Sequence, residues 1–130
     1  MKEIIRVQDV MHKEVLSIDG MASAKEAAAM MRKSKVSELL VSKRHDDDAW
    51  GIVTVMDIIK RIIVAERDAE TVFVYEIMTK PVITLPARMD IRHAVRLLDR
   101  VGIRRAPVDD QGEIVGMVTL FSVMMNADVL

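Results

Sequence analysis

The chain has 130 residues, 51% hydrophobic and 30% charged, with a formal net charge of −1 at pH 7 and no cysteine. That length suffices for a buried core, while the charge balance argues against nucleic acid or an anionic membrane as main partner, since both select a basic face. Disulfides and thiolate metal sites are excluded.

Only Trp50, Phe73, Tyr75 and Phe121 are aromatic, so the core is expected to be aliphatic, with Met30, Met31, Met124 and Met125 as gap fillers. Met1-Lys2-Glu3 precedes no apolar stretch of the secretory kind. Ile52 to Ala65 is the most apolar segment, but Asp57, Lys60 and Arg61 interrupt it, which argues against a membrane span. A cytoplasmic protein is the expectation.

The elements come twice. Val10-Met11-His12-Lys13 recurs as Ile77-Met78-Thr79-Lys80, 67 residues on. The same offset pairs Val15-Leu16-Ser17 with Val82-Ile83-Thr84, Met30-Met31 with Leu97-Leu98, and Val41 with Val108. Gly51-Ile52-Val53-Thr54 and Gly116-Met117-Val118-Thr119 stand 65 apart, so the first copy has two extra residues, placed around Asp46-Asp47-Asp48 at a polar turn tip.

In each copy a helical turn ends at Met11 or Met78, and a brief strand follows at Val15 to Ser17 or Val82 to Thr84. An amphipathic helix comes next. Ser23 with Glu26 forms a capping box for the first, and Asp90 caps the second. Gly102 ends the second helix; Lys35 holds that place in the first, which is expected to end differently. Two hairpins follow, Leu39 to Ser42 with Trp50 to Val53, and Ala106 to Asp109 with Ile114 to Val118. The last helices are Val55 to Glu66 and Leu120 to Asp128. The fold class is α/β (α+β): strand-helix-strand-strand-helix, twice, over 1–66 and 74–130 with a linker at 67–73. One copy alone would have a marginal core, which pairing about a pseudo-two-fold axis would relieve.

These residues resemble the paired CBS domain, or Bateman module. The resemblance rests on Val-Met near the start of each copy, Val-Ile-Thr-Leu at 82–85, Arg105-Ala106-Pro107-Val108, and Gly51-Ile52-Val53-Thr54-Val55-Met56-Asp57, and it spans roughly residues 7 to 127. It implies adenosine-type ligands (AMP, ADP, ATP or S-adenosylmethionine) in clefts between the two repeats, and homodimers. It also implies a regulatory role, not catalysis, with no required cofactor and with output through a separate effector protein or the homo-oligomer.

Thr54 and Asp57 are spaced to converge on the first turn of a helix, where Thr54 would cap and Asp57 complement the helix dipole. By the resemblance, the Asp57 carboxylate instead grips a ribose diol, with Thr84 and the backbone of Ile103 to Arg105 on the adenine. Arg104 and Arg105 are the phosphate candidates, since guanidinium binds phosphate in bidentate fashion; strand alternation lets only one face a cleft. Relatives often place a base where Glu38 stands. Here the acid and the base lie in different copies: either Arg104 or Arg105 reaches across to the phosphate, or the ligand at Asp57 carries little negative charge, which would favour S-adenosylmethionine or a nucleoside over ATP. The second copy has Ser122 in place of the carboxylate, so a degenerate cleft is expected around Ser17, Val36, Thr119 and Ser122. The alternative is a structural homodimerisation module with non-functional clefts.

His12, His45 and His93 lack metal-ligand spacing, and Asp46-Asp47-Asp48 lacks the glycine and distal glutamate of a cation loop. No metal site is expected, and the aspartates are read as a solvated hairpin tip. Ser17, Ser23 and Ser37 have no nucleophile-elbow context, and no glycine-rich phosphate loop exists, so no catalytic residue is assigned.

Overall fold

The computed structural model describes residues 3–130. In chain order the elements are α1 (Val7–Val10), β1 (Ser17–Ile18), α2 (Ala24–Ser34), β2 (Glu38–Val41), β3 (Gly51–Thr54), α3 (Val55–Ile58), α4 (Val74–Ile77), β4 (Leu85–Pro86), α5 (Ile91–Val101), β5 (Arg105–Asp110), β6 (Glu113–Thr119) and α6 (Leu120–Met124). α3 runs on into a wider π-helical stretch, Ile59–Val64, and a 3₁₀ turn covers Ala127–Val129. They form two compact units: Leu16–Val82, and Met1–Val15 with Ile83–Leu130.

Within Leu16–Val82 the sheet order is β1-β2-β3, with β1 parallel to β2 and β2 antiparallel to β3. A parallel pair needs a crossover, and α2 supplies it. Ser23 Oγ accepts the Glu26 N–H at 3.0 Å, the cap half of the expected box. Ala24, Ala27 and Met31, spaced three and four apart, pack on Leu39, Val41 and Val53. The other unit repeats the plan with order β4-β5-β6. Asp90 accepts the Arg92 N–H at the start of α5, and Ala94 and Leu98 pack on Val108 and Val118.

The packing units are staggered against the sequence repeats. α1, which opens the first repeat, contributes Val7 and Val10 to the core around β4, β5 and β6. α4, which opens the second, contributes Val74 and Ile77 to the core around β1, β2 and β3. The attachment is the same in both. Val7 and Gln8 donate backbone N–H bonds to the Met89 and Ala87 carbonyls (2.9 and 3.0 Å), as Val74 and Tyr75 do to Ala22 and Gly20 (2.8 and 2.9 Å). Just after each helix, His12 exchanges two backbone bonds with Met117 on β6, and Thr79 two with Ile52 on β3. The glycine opening each Gly-x-Val-Thr block makes room for this strap. A Cβ at Gly51 would lie 3.0 Å from the Met78 sulfur, and one at Gly116 would collide with the Met11 side chain and the His12 carbonyl.

Four sequence expectations need correction. The brief strands begin later, at Ser17 and Leu85, because the ladder to β2 opens with the Leu16 carbonyl and because the Val82 N–H is taken by the Trp50 carbonyl. Lys35 ends α2 in the left-handed region (φ 55°, ψ 45°), the same conformation as Gly102 at the end of α5. The last helix of the first repeat changes to π geometry after Ile58, turning Ile62 into the core. That of the second stops at Met124, and the Asn126 side chain caps a separate 3₁₀ turn by accepting the Asp128 N–H at 2.9 Å.

Candidate functional site

β3 delivers Thr54 to the N-cap of α3. The Asp57 N–H donates to Thr54 Oγ1 at 3.2 Å, and the Thr54 backbone N–H and hydroxyl donate to Asp57 Oδ2 at 2.8 and 3.1 Å. Both side chains are half-buried. The two internal donors converge on one carboxylate oxygen. Among the described residues Oδ1 accepts no hydrogen bond, so its acceptor capacity is unused within the turn.

The matching turn of the second repeat is built alike, with serine in place of the carboxylate. The Ser122 N–H donates to Thr119 Oγ1 at 2.9 Å, while Ser122 Oγ accepts the Thr119 N–H at 3.0 Å and donates to the Thr119 carbonyl at 2.9 Å. Ser122 is 5% exposed. Its one hydroxyl proton is used inside the turn.

The structure therefore brings together Thr54 with Asp57, and Thr119 with Ser122. Arg105 stands opposite Thr119 in the β5–β6 ladder and is half-buried; Arg104 is exposed, its carbonyl accepting the Leu120 N–H at 3.0 Å. Thr84 and Ile103 are half-buried in that same unit. Ser17 (exposed) and Val36 (half-buried) belong to Leu16–Val82 with Thr54 and Asp57. Each expected ligand set thus takes residues from both units.

One charged centre was misread from sequence. Asp46 and Asp47 are exposed, as a solvated tip should be, but the Asp48 side chain is only 10% exposed. Its Oδ2 accepts from Lys80 Nζ at 2.7 Å, the Arg44 backbone N–H at 2.9 Å and Arg44 Nε at 3.3 Å. The Lys80 ammonium, followed by the Arg44 backbone N–H, holds this carboxyl far below the usual range. The legible signal was the two-residue insertion itself. Among the described residues no group of three His, Asp or Glu could hold a metal ion, and no helix is long and apolar enough to cross a membrane.

Comparison with known proteins agrees with this architecture. The CBS domain matches the chain twice, over residues 7–64 and 74–127. An uncharacterized protein of Methanopyrus kandleri is 30% identical over 121 residues, covering 92% of this chain; the chain spans 61% of that relative's length. Among solved structures, a hexameric CBS-CP12 protein from bloom-forming cyanobacteria is 31% identical with a TM-score of 0.93, over 97% of this chain and 74% of its own. The CBS domain pair of protein MJ0100, in complex with 5′-methylthioadenosine and S-adenosyl-L-methionine, is 27% identical with a TM-score of 0.81, over 95% of each chain. With two matched repeats, two sheets of the same order and the same helix-capping turn after each, the chain belongs to the CBS-domain family as a tandem pair.

Proposed function

We propose that this CBS pair is a regulatory, non-catalytic module that binds an adenosine-containing ligand through Asp57. The carrying observation is the half-buried Asp57 carboxylate, oriented by two bonds to Oδ2 with Oδ1 left to accept from a ribose hydroxyl. The complex of the MJ0100 pair with two adenosine compounds supports the ligand class. Thr84, Ile103, Arg104 and Arg105 complete the ligand set, with the adenine on the first two and charge supplied by one arginine. Since Ser122 donates its one hydroxyl proton to the Thr119 carbonyl and carries no charge to grip a diol, the set around Ser17, Val36, Thr119 and Ser122 contributes little affinity. The acid and the arginines lie in different repeats, which favours S-adenosylmethionine or a nucleoside over ATP.

Occupancy acts through a second copy or a separate effector, and only to the extent that the ligand prefers one arrangement. Both terminal helices offer apolar residues to such a partner: Ile63 and Val64 are 65% and 71% exposed, Phe121 and Met125 68% and 65%. A hexameric protein of the same fold supports self-association.

Isothermal titration with AMP, ADP, ATP, adenosine and S-adenosylmethionine tests the assignment, with sedimentation of the same sample reading the oligomer. Asp57→Asn should weaken the best ligand about tenfold or more, the worth of one charge-assisted bond. Binding that survives Asp57→Asn moves the ribose elsewhere. Absence of heat with every ligand leaves a structural homodimerisation module.

A further inference from the structure

The unit Leu16–Val82 encloses a pocket of about 350 Å³ at the other end of its sheet from Asp57. Val41 lines it, and the Val41–Gly51 pair closes the β2–β3 ladder opposite the Glu38–Thr54 pair, about 10 Å along the strands. The volume falls in the range of small-molecule sites.

The floor is apolar: Met21, Val41, Tyr75 and Met78. Phe73 stacks on the Tyr75 ring at 5.5 Å between centroids and 14° between planes, which fixes that wall. Arg44 and Lys80 form the polar edge. Both are held by the single Asp48 carboxylate behind them, so two cations share one anion, and the Arg44 side chain is 79% exposed. The acidic group on the lining, Asp19, points Oδ1 at the Met21 N–H (2.8 Å), a bond within its own turn.

The second repeat is an internal control for what the fold makes by default. At the 67-residue offset Gly20 becomes Ala87, Met21 becomes Arg88, and Tyr75 corresponds to Gln8. Ala87 is 3% exposed, filling space that Gly20 leaves open beside Tyr75 and Val41. The long loop that carries Arg44 and Asp48 is there a two-residue turn, Gln111 and Gly112, between β5 and β6. Val41, Met78 and Lys80 keep their counterparts Val108, Met11 and Lys13, whereas the missing Cβ, the aromatic wall and the inserted loop are departures from the repeat.

We propose that this pocket binds a small organic anion with a flat apolar body, its ring on Tyr75, Met21 and Met78 and its acidic group at Lys80 and Arg44. A carboxylate and a phosphate monoester satisfy the same two cations. The site is independent of the adenosine assignment, since none of its residues belongs to that ligand set.

The test is ligand-observed NMR titration of the full chain with benzoate, phenyl phosphate, and benzamide as the neutral isostere. Benzoate or phenyl phosphate should bind, the better of the two naming the head group, and benzamide should bind at least about tenfold more weakly. Tyr75→Gln, which installs the residue the other repeat uses, should abolish the signal, and Lys80→Met should weaken it about tenfold. Arg44→Gln alters a largely exposed side chain and keeps the test valid if Lys80→Met does not fold; it too should weaken the anion. Benzamide binding as tightly as the anions, no binding by either anion, or binding lost in Asp57→Asn but kept in Arg44→Gln would overturn the proposal. Adenosine titrations of the Arg44→Gln protein read the other site separately.

Discussion

Lys35 sits at a backbone conformation that a Cβ makes costly, on the order of 1–2 kcal/mol. Its counterpart Gly102 takes the same left-handed turn without that cost (φ 82°). Residue identity hides the likeness: a lysine suggests another ending, but the Lys35 and Val36 amides both reach the Met31 carbonyl, and that closure fixes the turn whatever the side chain. Lys35→Gly should therefore stabilise the protein by about 0.5–1 kcal/mol, after the extra freedom of glycine in the unfolded chain is subtracted. A denaturation midpoint that rises with unchanged slope would show it; a lower midpoint would mean that the turn carries no strain. The Thr54–Asp57 pair was legible because a cap and the third helical residue are tied by local geometry. Whether Asp57 has capacity to spare was not, since that depends on which oxygen its neighbours occupy.

The two hairpins share strand chemistry and differ in their connections. Gln111 and Gly112 both have positive φ, the tight two-residue turn that suits the strand twist. The corresponding connection, residues 42–50, folds back to bring Asp48 onto Lys80. Sequence showed where the insertion lies but not its partner, because the partner is 32 residues away. The Asp48 carboxyl is depressed in the folded state, so its contribution is complete above the unfolded value, near pH 4, and is lost as pH falls towards the folded one. Asp48→Asn should lower Tm at pH 7, and the gap to the native protein should narrow below about pH 4. A gap of constant size down to pH 2 would show that the carboxylate charge contributes nothing to the loop.

At the scale of the chain, the repeat and its element order were readable, since self-similarity survives in the sequence. The stagger was not. A helix of four residues with two valines looks the same whichever sheet it joins, and only the core composition reveals that α1 packs on β4, β5 and β6. Cutting at the linker therefore separates the repeats but not the packing units. A fragment of residues 16–82 contains a whole sheet, α2, α4 and a closed core, and should give a dispersed amide NMR spectrum. A fragment of residues 67–130 lacks Val7 and Val10 and should not. A dispersed spectrum from the second fragment would show that α1 is dispensable to its core.

The same stagger sets a timetable for the chain on the ribosome. Leu16–Val82 has all its parts once Val82 has emerged. α1 was made earlier, but its partners run on to Val123, and at roughly 5–20 residues per second they follow several seconds later. During that interval Val7 and Val10 have no core to enter, ahead of a unit that can already close. α1 is thus made before α2 yet finds its place after it.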